Sequence, residues 1–134
     1  MIRRNIESVL TQRTRSFPIV TVTGPRQAGK TTLCRATFPN KPYVSLEPPD
    51  VRQFAVDDPR GFLARYRDGA IIDEVQRAPD LLSYLQADVD DRRDPGRFIL
   101  TLRRYGRSTH LCSAESDQIR NTIMIRVAPI SPRA

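Results

Sequence analysis

A chain of 134 residues, 39% of them hydrophobic, is long enough to bury one core and too short for two ordinary domains. No apolar run approaches the roughly 18 residues of a membrane helix, Met1-Ile2-Arg3-Arg4 is not followed by the apolar segment of a secretory signal, and Cys34, Cys112 and His110 cannot make a familiar four-ligand zinc site without borrowing carboxylates. The net charge of +7 sits at the two ends, and the 12 basic and 12 acidic residues between Pro18 and Thr101 leave the middle without electrostatic bias toward nucleic acid.

Arg3 to Arg15 has Ile6, Val9 and Leu10 at helical spacing and reads as a short amphipathic helix with a basic outer face. Ile19, Val20, Thr21 and Val22, bounded by Pro18 and Gly24, form a β-branched run that predicts a buried strand. The loop from Gly24 to Gly29 follows at once, and Lys30 to Thr37 predicts a helix that stops before Phe38-Pro39-Asn40. Tyr43 to Leu46 is a second strand candidate. Glu47-Pro48-Pro49-Asp50 then breaks the chain and offers Asp50 as the cap of a short helix reaching Val56. Asp58 caps a further helix with Pro59 in its first turn, turning Phe62, Leu63 and Tyr66 inward and ending near Gly69.

Ala70-Ile71-Ile72 is a third apolar run, leading directly into Asp73-Glu74 and so placing two carboxylates at the carboxyl end of a central strand. After Pro79, Leu81, Leu82, Leu85 and Val89 give a helix one core-facing stripe, which Asp90 to Gly96 terminates. Phe98 to Thr101 is a fourth strand. Strands alternating with helices predict an α/β fold of about four strands, a parallel sheet flanked by helices, with ligands outside the carboxyl ends of the strands.

Two motifs fall at that edge. In Gly24-Pro25-Arg26-Gln27-Ala28-Gly29-Lys30-Thr31, the spacing Gly-x-x-x-x-Gly-Lys-Thr lets backbone amides curl round a β-phosphate at a helix N-terminus, where the dipole adds attraction for the anion. Lys30 would bridge the β- and γ-phosphates, Thr31 would take one position on an octahedral magnesium, and Thr32 would cradle the α-phosphate side. Of the 22 basic residues only Lys30 and Lys41 are lysine, so an arginine-writing chain places the compact ammonium where phosphates need it. The competing reading is a glycine-rich turn that merely caps a helix. Asp73 is the magnesium-side carboxylate and Glu74 the candidate general base for in-line attack on the γ-phosphate, against the plainer reading of an acidic strand end. Gln76 and Arg77 lie past the strand end and receive no catalytic role.

Together with Tyr43-Val44-Ser45-Leu46, Ile71-Ile72-Asp73-Glu74-Val75-Gln76-Arg77-Ala78-Pro79 and Arg97-Phe98-Ile99-Leu100-Thr101, this P-loop resembles prokaryotic AAA+ ATPases in which the AAA core precedes a C-terminal domain of unknown function. The resemblance covers residues 1–101 and implies a P-loop NTPase core, ATP and Mg2+ as ligands, and hydrolysis using Lys30, Thr31, Asp73 and Glu74. It stops abruptly: the family continues after Thr101 with Gly-Ser, a polar sensor beside the γ-phosphate, and here Leu102-Arg103 follows. The expected division is therefore a partial ATPase domain over 1–101 and a non-homologous tail over 102–134, disordered or loosely packed, as in a truncated or frameshifted product without sensor or arginine finger.

In the resembled sheet order 5-1-4-3-2, the P-loop strand would then lie at an open edge. Thr122 to Val127 could replace the missing strand or stay untethered. The ordering entropy of roughly 1 to 2 kcal/mol per residue favours the second. Other readings are a non-catalytic fragment, a small-molecule kinase, which would need an acceptor pocket and a lid, and nucleic-acid binding through the basic ends. The cytoplasm is the default compartment, both thiols read as reduced, and no protein partner is written in the sequence.

Overall fold

The computed structural model describes residues 2–24, 29–92, 94–103 and 122–126, with backbone alone for 2–5 and 122–126. In chain order the elements are α1 (Ile2–Thr14), β1 (Ile19–Gly24), α2 (Lys30–Thr37), β2 (Tyr43–Ser45), α3 (Pro49–Asp57), α4 (Pro59–Ala64), β3 (Ala70–Asp73), a 3-10 turn (Val75–Arg77), α5 (Leu81–Asp91), β4 (Phe98–Arg103) and β5 (Thr122–Arg126). The strands form one sheet of order β2-β3-β4-β1-β5, and every neighbouring pair is parallel.

A parallel sheet must be covered on both faces, and alternate residues of each strand supply the two faces. Ile19, Ile72, Phe98, Leu100 and Leu102 pack with Ala55 of α3, Phe62 and Leu63 of α4, and the Leu81, Leu82, Leu85 and Val89 stripe of α5. Val20, Val22, Ile71 and Ile99 pack on the opposite side with Leu10 of α1 and Leu33 and Cys34 of α2. Ile71 and Ile72, like Ile99 and Leu100, thus serve different cores one residue apart. The result is three layers, with the carboxyl ends of all strands on one edge. Among the described residues no helix is long and apolar enough to cross a membrane.

Local chemistry sets the joints. Asp58 caps α4 as expected, its Oδ1 accepting from the Gly61 N–H at 3.0 Å, with Pro59 in the first turn. Gly69 turns the chain into β3 at φ +107, where a Cβ would stand 1.8 Å from the Arg97 carbonyl oxygen, so only glycine fits. Buried Arg97 secures the same joint. Its guanidinium donates to Asp88 Oδ2 at 2.9 Å and to the carbonyls of Arg67, Asp88 and Arg92, tying the start of β4 to the last turn of α5.

Three expectations change. Pro48, not Asp50, is the N-cap of α3, because Pro49 at the first helical position moves the boundary back and leaves Asp50 inside the first turn. On α1, Leu10 is fully buried and Ile6 packs beside it, while Val9 points outward. The largest change concerns the tail. Residues 122–126 do not stay untethered but pair in parallel with β1, from Ile19 opposite Thr122 to Thr23 opposite Arg126, giving the four-strand core a fifth strand. A strand on an otherwise open edge gains a ladder of backbone hydrogen bonds, which the entropy comparison left out. Residue 127 lies outside the described residues.

Candidate functional site

The register brings the predicted residues to one place. Because β1 and β3 both flank β4, their carboxyl ends stand at the same edge, with Gly24 opposite Arg103. Gly24 is the last residue of β1, and its carbonyl accepts from Lys30 Nζ at 3.2 Å. Pro25, Arg26, Gln27 and Ala28, the middle of the predicted phosphate loop, lie outside the described residues. Gly29 resumes the chain as the N-cap of α2 at φ 81, in the left-handed region that glycine enters without strain. Lys30 and Thr31 then begin the helix. Lys30 is buried, and desolvation lowers its pKa, with Glu74 and Asp73 opposing that shift.

Across from α2, Asp73 ends β3 almost fully buried and receives three hydroxyls. Thr31 donates to Oδ1 at 2.9 Å, Thr101 of β4 donates to the same oxygen, and Tyr43 of β2 donates to Oδ2 at 2.8 Å. Burial and the bond to Asp73 push the Tyr43 hydroxyl up to about 12. Glu74 follows at φ 61, the one described non-glycine residue in the left-handed region. Such a backbone costs on the order of 1 to 3 kcal/mol and clusters at functional sites. Its N–H is anchored by Thr101 Oγ1 at 2.9 Å. Its carboxylate is held through Oε1 by Gln76 Nε2 at 2.5 Å and by Arg103 at 3.2 Å.

A cavity of about 260 Å3 opens between these groups, lined by Gly29, Lys30, Thr31, Thr32, Glu47, Asp73, Glu74 and Arg103. A second cavity, of about 500 Å3 between α4 and α5, contains none of them. The donor set of the first fits magnesium held together with phosphate. Thr31 and Asp73 offer hard oxygens, and no cluster of three or more His, Cys, Asp or Glu exists among the described residues to build an all-protein cage. Cys34 lies buried behind the site with its thiol pushed up to about 12 by burial, a packing residue and not a nucleophile.

Tyr43, Thr101, Gln76 and Arg103 enter the site without having been assigned to it from sequence. Their only advance signal is position: each lies at or just beyond a strand that ends beside Asp73.

A family match to the AAA domain spans residues 16–131. The chain belongs to the AAA domain family. It is 38% identical over 101 residues to the uncharacterised proteins Mb2031c of Mycobacterium bovis and Rv2008c of Mycobacterium tuberculosis, an alignment that takes in 73% of this chain and only 22% of those proteins. Its fold is similar to that of PCH-2 from C. elegans, with a TM-score of 0.60 at 14% identity over 96% of this chain and 43% of that one. It is also similar to AMPPCP-bound DnaA from Aquifex aeolicus, with a TM-score of 0.54 at 17% identity over 92% and 44%. The Walker-type ATPase of Pyrococcus abyssi gives 0.56 at 13% over 96% and 54%. An AAA+ P-loop ATPase core is therefore the fold of this chain, which spans well under two thirds of each of these proteins.

Proposed function

We propose that this AAA domain binds a nucleoside triphosphate, ATP by family, together with magnesium at the Lys30–Asp73 edge, and that Glu74 directs water onto the γ-phosphate. The observation that carries the reading is the Thr31–Asp73 hydrogen bond, which joins the first turn of the helix after the glycine loop to the carboxylate ending β3. Lys30 and Glu74 line the same cavity.

Each residue has a distinct task. Gly29 permits the backbone to approach a phosphate closely, and Lys30 supplies a compact cation whose desolvation a polyanion would reverse. Thr31 and Asp73 would hold the metal, offering a hydroxyl and a carboxylate as hard oxygen donors. Magnesium supplies charge neutralisation at the phosphate oxygens. Tyr43 and Thr101 fix the Asp73 carboxylate in one orientation. Glu74 accepts the proton of the attacking water. That DnaA was solved with AMPPCP, a nonhydrolysable ATP analogue, supports the ligand class. A triphosphate-consuming reaction also supports the cytoplasm, where ATP and magnesium are abundant.

Thermal unfolding with Mg-ATP tests the reading. Ligand at about 100 times its dissociation constant should stabilise the chain by about 2.7 kcal/mol, and Lys30→Ala should abolish the shift. Phosphate release without any added acceptor, lost in Glu74→Gln, separates hydrolysis from kinase chemistry. A wild-type chain that melts at the same temperature with and without Mg-ATP would reject the proposal.

A further inference from the structure

A cavity of about 770 Å3, larger than the one at Lys30, lies between the last turns of α2 and the outer strand β2. Ala36, Phe38, Pro39 and Ile71 give it an apolar wall. Arg35 and Lys41 are its only charged lining residues, so it carries two positive charges and no negative one. Neither cation is paired with a carboxylate among the described residues. The Arg35 guanidinium stands 4.4 Å from the centre of the Tyr43 ring, an aromatic contact that positions it without neutralising it. Lys41 is half-buried, its Nζ donates to the Arg97 carbonyl at 3.4 Å, and burial lowers its pKa. A planar guanidinium and a compact ammonium on one apolar recess match the donor needs of a phosphate carried on an apolar body.

We propose that this recess is a second ligand site, for a small phosphomonoester whose dianion is held by Arg35 and Lys41 and whose apolar or aromatic body lies on Ala36 and Phe38. The volume is in the range of small-molecule pockets. The site is separate from the one proposed for nucleotide. Thr32 lines both cavities, whereas Lys30, Thr31, Asp73 and Glu74 line only the other. The inference therefore stands apart from the nucleotide reading, and the two can fail independently.

The test is calorimetric titration of the full chain at pH 8 with phenyl phosphate, alongside benzoate and inorganic phosphate. Phenyl phosphate should bind about tenfold or more tightly than either, since benzoate lacks the second charge and inorganic phosphate lacks the ring. Arg35→Gln and Lys41→Gln should each weaken it about tenfold, with Lys41→Arg recovering part of the loss. Ala36 is an exposed helical position that accepts either a glutamine or a glutamate, so this pair keeps the test valid even if Lys41→Gln folds poorly. Ala36→Gln should change the affinity by less than about threefold, and Ala36→Glu should weaken it about tenfold or more by placing a carboxylate beside the two cations. Lys30→Ala and saturating Mg-AMPPCP should both leave phenyl phosphate binding unchanged. Absence of phenyl phosphate binding, or equal affinity in Ala36→Gln and Ala36→Glu, overturns the proposal. So does loss of binding in Lys30→Ala or under Mg-AMPPCP, which would place the phosphate at the glycine loop. A wild type that binds phenyl phosphate but not AMPPCP would reject the nucleotide reading and leave this site standing.

Discussion

The Thr31 hydroxyl donates to Asp73 Oδ1 at 2.9 Å although 42 positions separate the two residues. The bond exists because α2 springs from the carboxyl end of β1 while β3 ends one strand away across β4. Thr31→Val keeps the shape and removes the hydroxyl. We expect it to weaken magnesium-dependent nucleotide binding by about tenfold or more while magnesium-free binding changes little, since a metal contact and not a phosphate contact is lost. Titrations with and without EDTA check this, and an equal loss under both conditions would assign Thr31 to phosphate.

Tyr43 approaches the same carboxylate from the other side, 2.8 Å from Oδ2, with the Arg35 guanidinium 4.4 Å from the centre of its ring. Tyr43→Phe leaves the ring and deletes the donor. The expected outcome is a raised magnesium requirement for nucleotide binding with the fold intact, because Asp73 loses one of the bonds that orient it. Unchanged magnesium dependence would make Tyr43 a packing residue.

The four core strands and their helices were legible because β-branched runs are punctuated by Pro18, Gly24, Gly69 and Gly96, and because Leu81, Leu82, Leu85 and Val89 repeat with helical period. Lys30, Thr31, Asp73 and Glu74 were legible because their chemistry lies in contiguous motifs. Tyr43, Thr101, Gln76 and Arg103 were not, since what brings them to Asp73 and Glu74 is strand register, a long-range property that local pattern does not encode. Arg103 was further obscured because Leu102-Arg103 stands where the resemblance leads one to expect Gly-Ser, although the family match itself runs on to residue 131.

Arg97 carries a stability prediction. Its side chain is 3% exposed and its ion pair with Asp88 is 33% exposed on the acid side. Arg97→Ala strands the carbonyls of Arg67, Asp88 and Arg92 together with the carboxylate. Breaking such a buried network costs on the order of 3 kcal/mol, reduced here by the access of solvent to Asp88. Urea denaturation should show a markedly lower midpoint, and Arg97→Lys should recover little because one ammonium cannot replace a fork that reaches four acceptors.

Cys34 supplies a pH prediction. Its thiol is raised from 9.0 to about 12, chiefly by burial, so the folded chain holds that proton more tightly than the unfolded chain. The associated stability is complete below pH 9 and is lost as pH rises toward 12. In a Cys112→Ser background, iodoacetamide at pH 8 should leave Cys34 unmodified in the native protein and label it promptly in urea, as mass spectrometry would report. Rapid labelling without denaturant would show the thiol to be accessible.

The parallel pairing of β5 with β1 assigns a role to the tail that can be measured. β1 carries Gly24 at its end, and all six of its residues are buried, so it behaves as a central strand. Ending the chain before residue 122 would leave its N–H and C=O groups on that side unpaired, and a flat, apolar, unpaired strand invites pairing with another copy. We expect the shortened chain to show a lower urea midpoint and concentration-dependent assembly by light scattering. Mg-ATP should partly suppress that assembly by stabilising the folded form. A shortened chain that stays monomeric with an unchanged midpoint would mean that β5 adds length to the sheet without supporting it.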